Sequence, residues 1–229
     1  MFSKDQLEYT QLPLPDRQTL DDAEMLRRAE DYRDFMSKRH TVRDYTTQPV
    51  DQSVIKACVA AAGTAPSGAN HQPWHFVAIS DPAVKKQIRQ AAEEEERRFY
   101  AGGASDEWIK ALEPIGTNAD KPHLEDAPWL IVVFAQRYGM FDDGTRYKNY
   151  YVPESVGIAT GMLLTALHMA GLATLTHTPN PMKFLGELLG RPDSEKATMI
   201  ITIGHPSADA TIPAVAKMKK QLSDIMTLL

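Results

Sequence analysis

Residues 153–170, PESVGIATGMLLTALHMA, read as a long helix without a polar face, and a helix that is apolar all round must be buried. In a chain of 229 residues it forms either the centre of the monomer or the seam between two copies. The apolar stretch continues over 156–175, interrupted by Gly157, Gly161, His168, Gly171 and several threonines, so it reads as a buried helix leading into a strand. A membrane span needs about 20 predominantly apolar residues with suitable flanks, and none is expected here.

The other elements must pack around that helix. Residues 21–38 read as a helix with Met25, Leu26, Ala29, Tyr32 and Phe35 or Met36 at three-and-four spacing. Residues 52–64 form a second, with Val54, Ile55, Cys58 and Val59 inward. WHFVAIS (74–80) alternates as a strand. Asp81 before Pro82 starts a third helix that reaches about Tyr100. AGGAS (101–105) breaks it, and 105–126 are polar, mixed and expected to be mobile. WLIVVFAQ (129–136) is a continuous apolar run, which fits a strand covered on both faces. LATLTHT (172–178) reads as a strand ending at Pro179, PMKFLGELLG (181–190) as a short helix closed by Gly190, and ATMIITIG (197–204) as the last strand. Residues 1–20, with Pro13 and Pro15, read as an extended arm: a wrap around a partner subunit or a frayed tail. The pattern is mixed α/β in one domain. No Gly-x-Gly-x-x-Gly follows a strand, so no dinucleotide-binding half is signalled.

The net charge of −5 argues against a general nucleic-acid binder, which needs a basic face for phosphates, but permits a local basic pocket. Cys58 is the only cysteine, so no internal disulfide forms and a reducing cytoplasm is the expected location. It lies on an apolar helix face and reads as inert core. The first residues show no signal-peptide core, and no leader is expected. The seven histidines are scattered without metal-ligand spacing, so no metal is expected.

Four stretches can carry chemistry. Ser37-Lys38-Arg39-His40-Thr41-Val42-Arg43 concentrates cations and hydroxyls at a helix end. Arginine matches a phosphate, although basic residues also favour a helix C-terminus because of its dipole. Ala65-Pro66-Ser67-Gly68-Ala69-Asn70-His71-Gln72-Pro73-Trp74 is a rigid small-residue loop that brings backbone close to a ligand, or an ordinary turn. Glu93 to Glu96 precede Arg97, Arg98, Phe99 and Tyr100. Such a run is by default a solvated face, but Glu96 and Tyr100 share one side and, with a lysine from elsewhere, could grip a zwitterion. Thr174, Thr176, His177 and Thr178 suit a strand, and also a strand end where ligands lie.

Taken in this order, the four stretches resemble the FMN-dependent nitroreductase family, and most of all its iodotyrosine deiodinase branch. The resemblance runs from about Met36 to the C-terminus. It includes Leu189-Gly190-Arg191-Pro192 and Gly204-His205-Pro206-Ser207, followed by Ala210-Thr211-Ile212-Pro213. In that branch a glutamate, a tyrosine four residues on and a lysine 21 further hold the substrate's amino-acid group; the same spacings here give Glu96, Tyr100 and Lys121. The chain departs from the branch at His40, at His177 inside the threonine run, at Ala119 and Asp120, and at Lys217, which stands where an arginine is expected, with Lys219 as a possible substitute.

The resemblance implies a three-layer sandwich, a central mixed sheet flanked by helices, in a homodimer with swapped arms. It implies FMN between two copies, contacted by Arg39, His40, Thr41, Val42, Arg43, Pro66, Ser67, Gly68, Asn70, Thr176, His177, Thr178 and Lys217. Arg39, Thr41 and Lys217 would meet the phosphate end, Arg43 would sit near N1 and C2=O, and Thr178 would bond N5. The Ala69 backbone would bind the substrate phenolate. A lid at about 97–126 would close as Glu96, Tyr100 and Lys121 take the zwitterion of a halotyrosine, which is then reductively dehalogenated. Electrons would come from NAD(P)H directly or through a reductase. A general NAD(P)H-dependent nitro- or quinone reductase is the alternative on the same fold.

Overall fold

The structure, a computed structural model, describes residues 9–16 and 18–229; the first part of the expected arm lies outside them. Aspartates set where three helices begin. Asp21 accepts from Glu24 N at 2.8 Å and opens α1 (Asp22–Ser37). Asp51 accepts from Ser53 N at 2.7 Å and opens α2 (Gln52–Gly63). After β1 (Trp74–Ile79), Asp81 accepts from Ala83 N at 2.8 Å and opens α3 (Pro82–Arg98), with Pro82 in its first turn. Each cap contributes about 1 kcal/mol. A π turn (Phe99–Gly103) leads to α4 (Asp106–Leu112), the single turn α5 (His123–Asp126) and β2 (Trp129–Gln136). A hairpin of β3 (Tyr138–Met140) and β4 (Arg146–Lys148) precedes α6 (Val152–Met169), β5 (Ala173–His177), α7 (Lys183–Leu188) and β6 (Glu195–Gly204).

The main sheet has the order β1-β2-β6-β5. Its inner strand β2 is buried from Trp129 to Ala135, and its side chains divide between two cores. Ile131, Val133 and Ala135 face α2 and α6, packing with Ile55, Cys58, Leu163 and Leu167. Leu130, Val132 and Phe134 face the opposite layer, with Ile88 and Ala92 of α3, Leu124 of α5 and Leu185 of α7. This alternation produces the expected three layers, because every residue of a strand covered on both faces must be apolar. No helix among the described residues is long and apolar enough to cross a membrane.

Three expectations are corrected. The sheet is not mixed: all three strand pairs are antiparallel, and a parallel contact occurs only at the isolated bridge Thr41–Thr174. Helices between strands suggested parallel crossovers. The connection through α6 brings β5 back parallel to β2, but β6 lies between the two, so every hydrogen-bonded neighbour in the sheet is antiparallel. Helix α6 is not buried all round. Ser155, Val156, Ala159, Leu163 and Leu167 face the core, while Ile158 and Met169 are 46% and 70% exposed. Helix α1 buries none of its residues, and Met25, Leu26 and Tyr32 are exposed. Residues 105–126 contain short helical turns: Ser105 caps α4, and Gly116, at φ 67°, ends the turn that follows. The β3–β4 hairpin was not expected, since three-residue strands are too short to show alternation.

Candidate active site

The site forms where β5 ends. Along that strand Thr176 and Thr178 are exposed and His177 between them is buried, as side chains alternate across a strand. The basic segment after α1 runs beside it. Val42 N donates to Thr174 O at 3.1 Å, and the Tyr45 hydroxyl lies 2.6 Å from Thr202 Oγ1. This places Thr41 and Arg43 against the end of β5. A cavity of 550 Å³ opens there, lined by eight of the expected residues: Thr41, Arg43, Glu96, Tyr100, Lys121, Thr176, His177 and Thr178. It is also lined by Phe99, Trp108 and His123, which the sequence did not single out.

The end of α3 and the segment after it build the other wall. Glu96 and Tyr100, four residues apart, share one face across the junction of α3 and the π turn. Trp108 of α4 packs edge-on against Phe99, with ring centroids 5.0 Å apart. Tyr100 OH donates to Thr117 O at 3.3 Å, and burial pushes its hydroxyl pKa up. Lys121 is 3% exposed. Its Nζ lies 3.2 Å from Glu96 Oε2, donates to Thr117 Oγ1 at 2.9 Å, and donates also to Asn118 O. Glu93 accepts from the Lys121 backbone N at 2.8 Å, tying the segment to α3. Burial pulls the Lys121 ammonium below its ordinary range, and Glu96 opposes that shift. The burial of a charge is tolerated because a carboxylate meets it. The walls therefore hold opposite charges that satisfy each other.

The loop 66–73 lies elsewhere, over the first turn of α6. Gly68 N donates to Ser155 Oγ at 3.3 Å, and Ser67 Oγ accepts from Gln72 N at 2.9 Å. Ala69, Asn70 and Gln72 have φ of 51°, 54° and 49°, a left-handed region that costs side-chain-bearing residues energy and marks functional loops. A Cβ on Gly68 would meet Tyr150 O at 2.7 Å. Gly68→Ala is therefore expected to displace the loop and cost about 1–3 kcal/mol. It should lower the thermal midpoint by about 2–4 °C per kcal/mol, and an unchanged midpoint would contradict this.

The remaining predicted residues are apart from the cavity. Arg39, half-buried, borders an apolar hollow with Tyr32, Met36, Ile158, Met162 and Met169. His40 and Val42 are half-buried on the strand-like segment beside β5. Lys217 is exposed at the end of the turn Ala214–Lys217, and Lys219 Nζ donates to Ala216 O. Neither Arg39 nor Arg43 has an ion-pair partner among the described residues. Within one chain, Arg39, Ser67 and Thr178 do not line one of the described cavities. His123 was missed because it is two residues beyond Lys121 in a segment without periodicity, and only folding brings it to His177.

Residues 36–205 match the nitroreductase family model. The chain is 50% identical over 197 residues to iodotyrosine deiodinase of Haliscomenobacter hydrossis, covering 86% of this chain and 89% of that one. It is 42% identical to human iodotyrosine deiodinase 1 over 204 residues, 89% of this chain and 70% of the human one. Among solved structures, oxidized iodotyrosine deiodinase bound to FMN and 3-iodo-L-tyrosine aligns with TM-score 0.70 at 30% identity, over 77% of this chain and 90% of that one. A BluB-like flavoprotein of Clostridium difficile 630 aligns with TM-score 0.67 at 21% identity, over 86% and 98%, a likeness of fold. On the family model and these relatives, the chain belongs to the nitroreductase family, in its iodotyrosine deiodinase branch.

Proposed function

We propose that this chain is an FMN-dependent reductive dehalogenase that takes 3-iodotyrosine and related halotyrosines to tyrosine and halide. The observation that carries the reading is the Glu96–Lys121 pair, closed on itself in the cavity beside Tyr100 and Thr178. A buried lysine paired with a half-buried carboxylate is complementary to an amino acid's zwitterion. Lys121 then takes the substrate carboxylate, Glu96 its ammonium, and the Tyr100 hydroxyl adds a hydrogen bond.

The residues present also fit FMN. Two half-buried guanidiniums, Arg39 and Arg43, have no ion-pair partner among the described residues, which suits an anion site. The loop beside Gly68 holds Ala69, Asn70 and Gln72 in the left-handed region, a conformation that functional loops use. Arg39, Thr41 and Lys217 would hold the phosphate end, Arg43 would stabilise negative charge on the reduced ring near N1 and C2=O, and Thr178 would bond N5. His40, Val42, Pro66, Ser67, Gly68, Asn70, Thr176 and His177 complete the cofactor's surroundings, and the Ala69 backbone receives the phenolate. When bound, FMN supplies the two electrons that, with one proton, replace carbon–iodine by carbon–hydrogen and release iodide. NAD(P)H, directly or through a reductase, is the external donor. Closure of the 97–126 lid over the substrate excludes water.

A second copy of the chain completes the site. The loop 66–73 and the 550 Å³ cavity are separate in one chain, and large apolar surfaces lack cover. These include Met25 and Leu26 of α1, Ile158 and Met169 of α6, Leu12 and Leu14 of the arm, and Ile225 at the C-terminal end. Exposed large apolar side chains in this number favour an interface.

The test is equilibrium binding to the purified yellow protein, whose solution mass should be twice that of the chain. 3-Iodotyrosine should quench the bound flavin's fluorescence, and a nitroarene without a zwitterion should compete poorly. A colourless monomer that refuses FMN, or equal binding of the two ligands, would overturn the reading.

A further inference from the structure

The cavity wall contains two histidines that substrate binding, as described, does not use. His123 and His177 are 4% and 8% exposed, and their rings meet edge to face with centroids 6.0 Å apart. Nε2 of each is buried without a hydrogen-bond partner among the described residues. Buried polar atoms are rarely left this way, and each exception calls for an explanation. Glu96 Oε1 lies 4.0 Å from His177 Nε2, beyond hydrogen-bond reach but within a small side-chain rotation of it. The other carboxylate oxygen of Glu96 is the one that faces Lys121.

Both imidazoles are uncharged near neutral pH. Burial, then the neighbouring Lys121, pushes His177 down to about 3 and His123 down to about 4, and Arg43 acts in the same direction on both. A neutral imidazole offers one N–H donor and no competing charge. That distinction matters beside Glu96. When a zwitterion enters, Lys121 turns to its carboxylate, and Glu96, whose side chain is 14% exposed, loses its cation at a site largely shielded from water. A buried carboxylate needs both an opposite charge and hydrogen-bond donors for its remaining lone pairs. The ligand's ammonium supplies the charge. A second cation would weaken the attraction for that ammonium, whereas an uncharged N–H would not.

We propose that His177 is a positioning residue for Glu96: on substrate binding, the carboxylate leaves Lys121, accepts a hydrogen bond from His177 Nε2–H, and presents its other oxygen to the ammonium. His123, edge-on to His177, holds that ring in place. The inference rests on the halotyrosine reading. It assigns to His177 a selectivity for the amino group that flavin contact alone would not give.

The experiment compares two ligands on the FMN-loaded protein by quenching of flavin fluorescence: 3-iodotyrosine and 3-(3-iodo-4-hydroxyphenyl)propionate, which keeps the ring and carboxylate but lacks the ammonium. His177→Phe should weaken 3-iodotyrosine about ten-fold more than it weakens the propionate, both measured on protein saturated with FMN. His177→Gln, which retains an N–H donor, should recover most of the loss. In a Glu96→Gln background, His177→Phe should have little further effect, because the partner of the hydrogen bond has lost its charge. Equal losses for both ligands would show a packing role and overturn the proposal, as would no loss at all, or a glutamine variant no better than phenylalanine. If the unaltered protein does not bind 3-iodotyrosine, the halotyrosine reading falls and this inference with it; a loss indifferent to the ammonium removes the role of His177 alone.

Discussion

Glu96→Ala is expected to weaken 3-iodotyrosine binding by about 100-fold, and Lys121→Ala by a similar factor, because each removes a charge-assisted hydrogen bond of about 1.5–3 kcal/mol to the zwitterion. The two variants should differ in stability. Glu96→Ala leaves Lys121, 3% exposed, with only Thr117 and Asn118 as partners. Breaking one side of a buried ion pair costs about 3–5 kcal/mol, since the surviving charge stays out of water. Lys121→Ala leaves Glu96 less confined, with a side chain that is 14% exposed and lies 4.0 Å from His177, so it should destabilise less. Replacing both, as Glu96→Gln with Lys121→Met, removes the stranded charge. That protein should recover most of the stability and none of the binding. Thermal midpoints read beside fluorescence titrations check this, and binding within about three-fold of the unaltered protein in either single variant would contradict the zwitterion site, since the interaction at stake is far larger.

Stability is expected to fall steeply as pH drops from about 6.5 toward 4. His177 and His123 carry folded-state values of about 3 and about 4, below the ordinary 6.5. Above pH 6.5 both states hold these rings neutral, and the histidines add no pH dependence. Below it the unfolded chain takes up protons that the folded protein refuses, so protonation favours unfolding. The loss accumulates down through the folded-state values. At about 1.36 kcal/mol per pH unit, each histidine removes about 3 kcal/mol by pH 4. His177→Phe should abolish its share and make the decline distinctly shallower, while carboxylates such as Glu93 and Glu195, held low by arginine partners, contribute equally in both proteins. Parallel denaturation profiles over pH 4–7 would contradict the assignment.

What could be read before folding was whatever local chemistry decides. Asp81–Pro82 announces a helix start because a carboxylate can cap and proline needs no N–H donor there, and α3 begins at that point. WLIVVFAQ announces a strand covered on both faces, and β2 is one. The resemblance to the deiodinase branch, rather than any local signal, picked out Glu96, Tyr100 and Lys121, which fold into one cavity wall. Properties settled by long-range pairing were not legible. Strand direction depends on how connections cross the sheet, so the antiparallel order could not be read from strands alternating with helices. The apolar circumference of α6 promised burial, but whether a neighbour in the same chain or a second copy covers Ile158 and Met169 is not a local property. His123 escaped notice because nothing in its neighbourhood marks it, and its meaning arises only from a contact with His177.

The central claim is that electrons from the bound flavin reach a carbon–halogen bond held through the substrate's zwitterion. The direct measurement is to reduce the FMN-loaded protein without oxygen, add 3-iodotyrosine, and follow the flavin spectrum together with iodide and tyrosine. The account predicts that the flavin is reoxidised as one iodide and one tyrosine appear per flavin, and that the Lys121→Ala protein fails to do this at the same ligand concentration. A flavin that stays reduced in the presence of bound 3-iodotyrosine, yet is promptly reoxidised by a nitroarene, would contradict it.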